Sequence, residues 1–187
     1  MGNIRILVVE DESLVARDME NMAIRLGYEV CGLATTGEEA VELAARFRPD
    51  LILMDVIIKG VLDGIAAAEK IWEAFHIPII YVTAYADETT LKRAKTTEPF
   101  GYILKPFDER ELKIAIEMAF YKSQMALKLR EREEWLSALV KSIADGVIAT
   151  DREGLVTFMN PLAEKLTGWR HEEALRKSLS EVFAAVK

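Results

Sequence analysis

The residues best suited to chemistry in this sequence stand where short hydrophobic runs end. They are Glu10 and Asp11 after IRILVV, Asp55 after LILM, Thr83 after IPIIYV, and Lys105 after GYIL. Carboxylates that share a small space repel one another unless a cation neutralises them. An oxygen-only cluster suits Mg²⁺, which usually takes one or two carboxylates from a protein and keeps several waters. A lysine and a threonine beside it would add a positive charge and a hydroxyl.

This combination of groups is suited to accepting a phosphoryl group. Asp55 would act as the nucleophile and form an acyl phosphate, while the metal and Lys105 would neutralise the charge on the phosphoryl oxygens. Any one of these side chains alone would more often be an ordinary helix cap or a solvated loop residue. Because all five follow strand-like runs, together they favour a phosphoryl-accepting site.

The hydrophobic runs are short and apolar on both faces, which is typical of strands buried in a parallel sheet. Amphipathic stretches between them predict helices at 14–26, 38–47 and 64–75, from 87 towards 98, and from 108 onwards. Strands and helices that alternate in this way predict a doubly wound α/β fold with helices on both faces of the sheet. Ligands of such sheets bind beyond the carboxyl ends of the strands, where the five polar residues stand.

Residues 3 to about 122 resemble the receiver domain of two-component response regulators. That family has an acidic pair after the first strand, a phospho-accepting Asp after the third, Thr or Ser with a small residue after the fourth, and Lys-Pro after the fifth. With the switch aromatic of the fifth strand added, these positions read Glu10, Asp11, Asp55, Thr83, Ala84, Lys105, Pro106 and Tyr102. The resemblance implies a flavodoxin-like, five-stranded, doubly wound parallel sheet in a receiver domain that spans residues 1–122.

The resemblance also implies how the acidic residues act. Asp55 is expected to be the phospho-acceptor. Mg²⁺ is expected to bind Asp11, Asp55 and the backbone carbonyl of Ile57, with Glu10 acting directly or through a water. Glu10 stands where Asp is commoner in the family, and its longer side chain favours the water-mediated contact.

The remaining site residues are expected to bind the phosphoryl group and to respond to it. Thr83, Ala84 and Lys105 are expected to contact phosphoryl oxygens. Thr83 then moves towards the phosphate and Tyr102 turns into the vacated space, so that the domain behaves as a two-state switch. The peptide bond between Lys105 and Pro106 is expected to be cis, as it generally is in the family.

The loop after Asp55 departs from the family pattern. Its sequence, DVIIKGVLDG, has Lys59 and Gly60 where the family often has a proline, and it is one residue longer before Asp63. We therefore expect this loop to have a shape of its own.

The segment after the receiver is predicted to be one long helix, from Glu109 to about 145. An apolar stripe of nearly seven-residue spacing runs along it, formed by Met118, Tyr121, Met125, Leu129, Leu136, Leu139 and Ile143. This spacing favours a helical linker at 123–143 that forms a coiled coil in a homodimer. A single solvated helix is the alternative, because the stripe is interrupted around Arg132.

Residues 144–187 have the pattern of a different domain. GVIATD and LVTFMN predict two strands joined by a turn at 152–154, and PLAEKLTGW and HEEALRKSLSEVF predict helices. The string from Asp145 to Trp169 is similar to the start of a PAS sensor domain. Because a PAS fold ordinarily needs about one hundred residues, we expect an incomplete α+β PAS segment here.

Composition sets broad limits on location and partners. The net charge of −7 disfavours a nucleic-acid partner, and no apolar run approaches the length that a membrane span needs. The single cysteine, Cys31, cannot form a disulfide within the chain and fits a reducing cytoplasm.

These features together predict a phospho-accepting receiver in a two-component phosphorelay. Its partner would be a histidine kinase or a phosphotransfer domain, and its output would pass through the long helix to the PAS segment. It would catalyse only its own phosphorylation and dephosphorylation. Two alternatives are a hydrolase with an aspartyl-phosphate intermediate, which would usually carry an acid at the position of Ile57, and a receiver-like module that binds partners without phosphorylation.

Overall fold

The structure is a computed structural model that describes residues 4–84, 99–142 and 145–183. The predicted helix between Asp87 and Glu98, and Ile143 of the apolar stripe, lie outside the described residues. The chain forms two compact units, residues 1–126 and residues 127–187. Each unit is described by itself.

The first unit is built on a five-stranded parallel sheet. Its strands are β1 (Arg5–Val9), β2 (Glu29–Ala34), β3 (Leu51–Asp55), β4 (Ile79–Thr83) and β5 (Gly101–Leu104). Their order across the sheet is β2-β1-β3-β4-β5, and every neighbouring pair is parallel. The predicted flavodoxin-like sheet is therefore confirmed. The order reverses between β1 and β3, and such a reversal opens a crevice at the carboxyl ends of those two strands.

Three helices lie within this unit: α1 (Ser13–Arg25), α2 (Gly37–Phe47) and α3 (Gly64–Phe75). The long helix α4 (Glu109–Ser142) begins in it and ends in the second unit. The predicted bounds of the first three agree with these to within one residue. The start of α4 is fixed by a reciprocal cap, because Glu111 N donates to Asp108 Oδ1 at 2.8 Å and Asp108 N donates to Glu111 Oε2 at 3.0 Å. The helix that the sequence predicts from 108 onwards thus begins with a capping box.

Successive side chains of the central strands point to opposite faces, so each face has its own core. Leu7 of β1 and Ile52 of β3 belong to the core that packs under α2 and α3. Ile6 and Leu51 belong to the core that packs under α1 and the first turns of α4. The sheet is therefore packed between helices on both faces.

The apolar stripe of α4 lies on the surface. The six described members of the stripe are between 41% and 64% exposed: Met118, Tyr121, Met125, Leu129, Leu136 and Leu139. Among the described residues, these six side chains therefore form an exposed apolar stripe on α4.

The second unit has a two-stranded antiparallel sheet and three short helices. The strands are β6 (Ile148–Thr150) and β7 (Val156–Met159), and the helices are α5 (Pro161–Thr167), α6 (His171–Ala174) and α7 (Leu179–Phe183). A small core joins them, formed by Val156, Met159, Ala163, Ala174 and Val182.

The prediction of one helix for HEEALRKSLSEVF is wrong at its centre. The backbone leaves the helix between α6 and α7 because it pairs with the start of β7. Arg176 N donates to Val156 O at 2.9 Å, and Val156 N donates to Lys177 O at 2.8 Å. Arg176 has a φ of 62°, which a right-handed helix does not accommodate. These tertiary hydrogen bonds outweigh the helical preference of the segment.

Candidate phospho-acceptor site

The end of β1 places an acidic side chain in the crevice. Glu10 N donates to Ala34 O at 2.9 Å, which extends the pairing of β1 with β2 by one residue. The Glu10 side chain is 1% exposed, so its carboxylate lies inside the sheet edge and not in solvent. Glu10 Oε1 accepts a hydrogen bond from Glu12 N at 3.3 Å. Strand pairing and burial therefore fix this carboxylate before any ligand binds.

The end of β3 places a second carboxylate beside the first. Asp55 is 7% exposed, and its Oδ1 accepts a hydrogen bond from Ile57 N at 3.0 Å. Its other oxygen, Oδ2, bonds to the Lys105 ammonium at 2.5 Å. The carboxylate is thus held at both oxygens, by a backbone amide on one side and by a cation on the other.

Lys105 joins the two acids. Its backbone N–H donates to Thr83 O at 2.9 Å and so continues the pairing of β5 with β4. Its Nζ lies 2.5 Å from Glu10 Oε2 and 2.5 Å from Asp55 Oδ2. One ammonium therefore bonds to two carboxylates that come from different strands. The structure brings these three predicted site residues together at the sheet edge.

The electrostatics of this cluster follow from its burial. Burial raises the pKa of Glu10 and the negative charge of Asp55 adds to the rise, while the bond to Lys105 opposes it. Burial alone would lower the pKa of Lys105, but the hydrogen bonds to Asp55 and Glu10 outweigh it, and the pKa is raised. The ammonium is therefore held firmly in its charged form.

Asp11 pairs with a different cation. Its Oδ2 lies 3.1 Å from the Nζ of Lys59, which belongs to the loop after Asp55. Within residues 4–84, 99–142 and 145–183, no three His, Cys, Asp or Glu side chains are grouped so as to hold a metal ion. The donor chemistry still suits a hard divalent cation, because Glu10, Asp11 and Asp55 offer only oxygen ligands.

Thr83, Ala84 and Tyr102 occupy the neighbouring strand ends. Thr83 is buried at the end of β4, and Ala84 follows it at the surface. The Tyr102 ring lies beside that of Tyr81, with centroids 5.8 Å apart. The Tyr102 hydroxyl is buried and accepts or donates no hydrogen bond among the described residues. Burial also raises the pKa of Tyr102. The peptide bond between Lys105 and Pro106 is cis.

Two residues of the site were missed by the sequence. The sequence marks Lys59 only as a departure from the family pattern, and no sequence pattern assigns Glu38 to the site. Glu38 lies in the first turn of α2, yet its carboxylate accepts hydrogen bonds from Val61 N and Leu62 N of the loop that carries Lys59. The available signal was the extra loop residue, since a longer loop needs an anchor elsewhere in the fold.

Comparison with known families identifies both units. Residues 6–117 match the response regulator receiver domain. The chain belongs to the response regulator receiver family. Residues 134–185 match the PAS fold, so the receiver is followed by a PAS segment, and the resemblance drawn from the sequence is confirmed for both.

Individual relatives agree with this assignment. The receiver is 41% identical over 115 residues to the transcriptional regulatory protein PdtaR of Mycobacterium tuberculosis, a match that covers 62% of this chain and 56% of PdtaR. It is 36% identical over 129 residues to the phyllosphere-induced regulator PhyR of Methylorubrum extorquens, covering 68% of this chain and 46% of PhyR. The chain thus spans about half the length of the curated relatives it matches.

A solved structure supports the fold independently. The signal receiver domain of a modulated diguanylate cyclase from Desulfovibrio desulfuricans G20 is 38% identical and superposes with a TM-score of 0.65. The match covers 67% of this chain and 99% of that domain. In the described part of this receiver–PAS chain, no helix is both long and apolar enough to cross a membrane.

Proposed function

We propose that this receiver accepts a phosphoryl group on Asp55 from the phosphohistidine of a histidine kinase or a phosphotransfer domain, in a cytoplasmic two-component phosphorelay. The observation that carries the proposal is the Lys105 ammonium, held between the buried carboxylates of Glu10 and Asp55. A nucleophilic carboxylate and a charged cation are already in contact there. Such a pair is what phosphoryl transfer requires, because charge must be stabilised where the phosphoryl oxygens will stand.

The reaction uses the two oxygens of Asp55 differently. Oδ1 stays with the Ile57 amide, and Oδ2, which now bonds to Lys105, attacks phosphorus as the phosphorus–nitrogen bond of the donor breaks. The Lys105 ammonium then pairs with a phosphoryl oxygen in place of Oδ2. The Thr83 hydroxyl and the backbone N–H of Ala84 bind the remaining oxygens. Each step is assigned to a residue that stands at the sheet edge.

Mg²⁺ is the cation we propose for the acidic residues. Asp11, Asp55 and the backbone carbonyl of Ile57 would hold it, with Glu10 acting directly or through a water. It would supply positive charge at the phosphoryl oxygens opposite Lys105. The all-oxygen donor set supports this choice of ion.

The response to phosphorylation is proposed to pass through Thr83 and Tyr102. Movement of Thr83 towards the phosphate opens space beside β4, and the ring of Tyr102 fills it. The Tyr102 hydroxyl has no hydrogen-bond partner among the described residues, so no hydrogen bond there opposes rotation of the ring. Phosphorylation then shifts a two-state equilibrium, and α4 carries the change to the PAS segment.

The test of phospho-acceptance is intact-mass analysis of the full chain after incubation with Mg²⁺ and acetyl phosphate. We expect the mass of one added phosphoryl group, lost completely in Asp55→Asn. Asp108→Asn is the matched control, because Asn also caps helices, and it should retain the gain in mass. No gain in the wild type would favour the partner-binding module, and steady release of phosphate would favour the hydrolase.

We further propose that the chain forms a homodimer through α4, with no nucleic acid in the interface. The apolar stripe carries exposed Met, Tyr and Leu side chains at near-heptad spacing over a helix of 34 residues. A second copy of the same helix, in parallel register, would cover the same stripe on its partner. The net charge of −7 argues against a nucleic-acid surface.

Leu136→Lys tests the dimer. A lysine in the C-terminal half of the stripe would place an ammonium in the apolar interface. We therefore expect association to weaken and the variant to sediment largely as a monomer in sedimentation velocity. Leu14→Lys is the control, because Leu14 is 86% exposed on α1 and lies off the stripe. A monomeric wild type at high concentration, or a Leu136→Lys dimer as stable as the control, would contradict the proposal.

A further inference from the structure

The loop between β3 and α3 is fastened to the start of α2. Glu38 Oε1 accepts hydrogen bonds from Val61 N at 2.8 Å and from Leu62 N at 3.0 Å. The backbone of Lys59 also forms an isolated parallel bridge with Thr36, the N-cap residue of α2. Hydrogen bonds from its own backbone N–H, and then from Leu62 and Val61, lower the pKa of Glu38. The anchor is therefore charged at neutral pH.

Two glycines make this close approach possible. A Cβ at Gly37 would lie 2.5 Å from Leu62 O, and a Cβ at Gly60 would lie 2.5 Å from Glu38 Oε2. Gly60 also has a φ of 122°, which side chains rarely permit. The loop is thus shaped to lie against α2. Its path is fixed on both sides of Lys59.

The path of the loop determines where the Lys59 ammonium lies. Lys59 Nζ lies 3.1 Å from Asp11 Oδ2, although the Lys59 side chain is 78% exposed and the Asp11 side chain is 18% exposed. Lys105, by contrast, is 17% exposed and is held by two carboxylates. The site therefore contains one cation that is firmly enclosed and a second that solvent reaches readily.

We propose that Lys59 is a built-in counter-ion that holds Asp11 until a divalent cation displaces it, and that Glu38 positions Lys59 for this role by anchoring the loop. The inference rests on the proposed function, because it concerns the metal of the same site. Displacement separates the Lys59 ammonium from Asp11 and returns it to water, which its exposure makes easy. The pairing thereby sets how much Mg²⁺ the receiver needs.

Two positive charges within a few ångströms repel, so the same ammonium opposes metal binding even after it has moved aside. Screening by salt should weaken the opposition, because Lys59 is at the surface.

The test is calorimetric titration of the unphosphorylated full chain with Mg²⁺. We expect Lys59→Met to bind Mg²⁺ roughly three- to tenfold more tightly than the wild type, through loss of a nearby like charge. Lys113→Met is the matched control. It removes the same charge from an exposed pair with Glu117 on α4 and should change the affinity little. Equal affinities for Lys59→Met and Lys113→Met would overturn the inference.

Glu38→Ala separates the positioning role from a merely structural one. Freeing the loop should tighten Mg²⁺ binding less than Lys59→Met does, and combining the two changes should add nothing to Lys59→Met alone, because Glu38 acts through Lys59. Additive effects, or weaker binding in Glu38→Ala, would overturn it. Phosphorylation of the wild type by acetyl phosphate is scored separately. If Asp55 gains the phosphoryl group while Lys59→Met behaves as the control, only this inference fails; if Asp55 gains none, the proposed function fails.

Discussion

Lys105→Met is expected to lower the free energy of unfolding by about 3 kcal/mol at pH 7 in metal-free buffer, because removing one partner of a buried ion cluster leaves the other charges uncompensated. Glu10 and Asp55 would remain side by side with no cation between them. Met keeps most of the length of the lysine and an apolar stem, so the loss of stability reports mainly the loss of the charge. Urea unfolding followed by fluorescence gives the free energy.

The pH dependence of this loss has a definite sign. Burial raises the pKa of Glu10 above its ordinary value of 4.5, and in the variant the opposing bond to Lys105 is gone, so the pKa rises further. The folded variant then binds a proton more readily than its unfolded chain, and its stability falls as pH rises through the raised pKa. The loss caused by Lys105→Met should therefore be smaller at pH 5 than at pH 7. In the wild type, Lys105 stays charged between pH 5 and pH 7, because its pKa is raised.

A second substitution checks the assignment. Glu10→Gln added to Lys105→Met removes the repulsion with Asp55, so the double variant should recover about half of the lost stability, in keeping with coupling energies between contacting residues. The control is Arg25→Met, which breaks an exposed pair with Glu109 and should cost under about 1 kcal/mol. A pH-independent loss in Lys105→Met, or no recovery in the double variant, would show that the carboxylates do not repel as described.

The ends of the strands were predictable because their chemistry is local. Hydrophobic runs apolar on both faces define buried parallel strands, and the topology of such a sheet sends their carboxyl ends to one edge. Glu10, Asp55 and Lys105 were therefore expected together without any knowledge of their side-chain contacts. That expectation needed only the period of the hydrophobic residues and the alternation with helices.

Which lysine pairs with which carboxylate was not predictable in the same way. Lys105 bridges Glu10 and Asp55, while Asp11 pairs with Lys59. This outcome depends on the path of one loop, and that path is set by Glu38, which lies more than twenty residues earlier. The extra loop residue indicates that this loop has a shape of its own, but it does not indicate which distant side chain anchors the loop. The broken helix near residue 176 has the same cause, because hydrogen bonds to a distant strand overrode the helical pattern.

Asn160→Ala is expected to lower the stability of the PAS unit by about 3 kcal/mol, because it leaves several buried backbone groups without a hydrogen-bond partner. Asn160 is fully buried, and among the described residues its side chain forms four hydrogen bonds, all with backbone atoms. Its Oδ1 accepts from Val147 N and Ala163 N, each at 2.9 Å. Its Nδ2 donates to Asp145 O at 2.9 Å and to Val140 O at 3.3 Å.

These four bonds connect separate parts of the unit. Val140 lies in the last turns of α4, Asp145 and Val147 lie in the segment that leads to β6, and Ala163 lies in the first turn of α5. Asn160 is also the N-cap residue of α5, a position where Asn is strongly preferred. A single amide therefore ties the end of the long helix to the first strand and the first helix of the PAS segment.

Asn160→Asp distinguishes the two halves of this network. It keeps the acceptors for Val147 and Ala163 but replaces the donor with an oxygen that faces the carbonyls of Val140 and Asp145, so it should also destabilise the unit. Asn160→Ser should keep only the hydrogen bond that caps Ala163 N. The stability of this variant should therefore lie between those of the wild type and Asn160→Ala.

The measurement is amide hydrogen exchange of the full chain, because it resolves the two units. In Asn160→Ala the amides of Val147 and Ala163 lose their acceptor, and we expect their exchange to accelerate by roughly two orders of magnitude, which corresponds to a loss of about 3 kcal/mol in local stability. Asn160→Asp should leave Ala163 better protected than Asn160→Ala does. The amides of β3 in the receiver provide the internal control and should exchange as in the wild type. Unchanged exchange at Val147 and Ala163 would mean that Asn160 does not hold the end of α4 to the PAS segment.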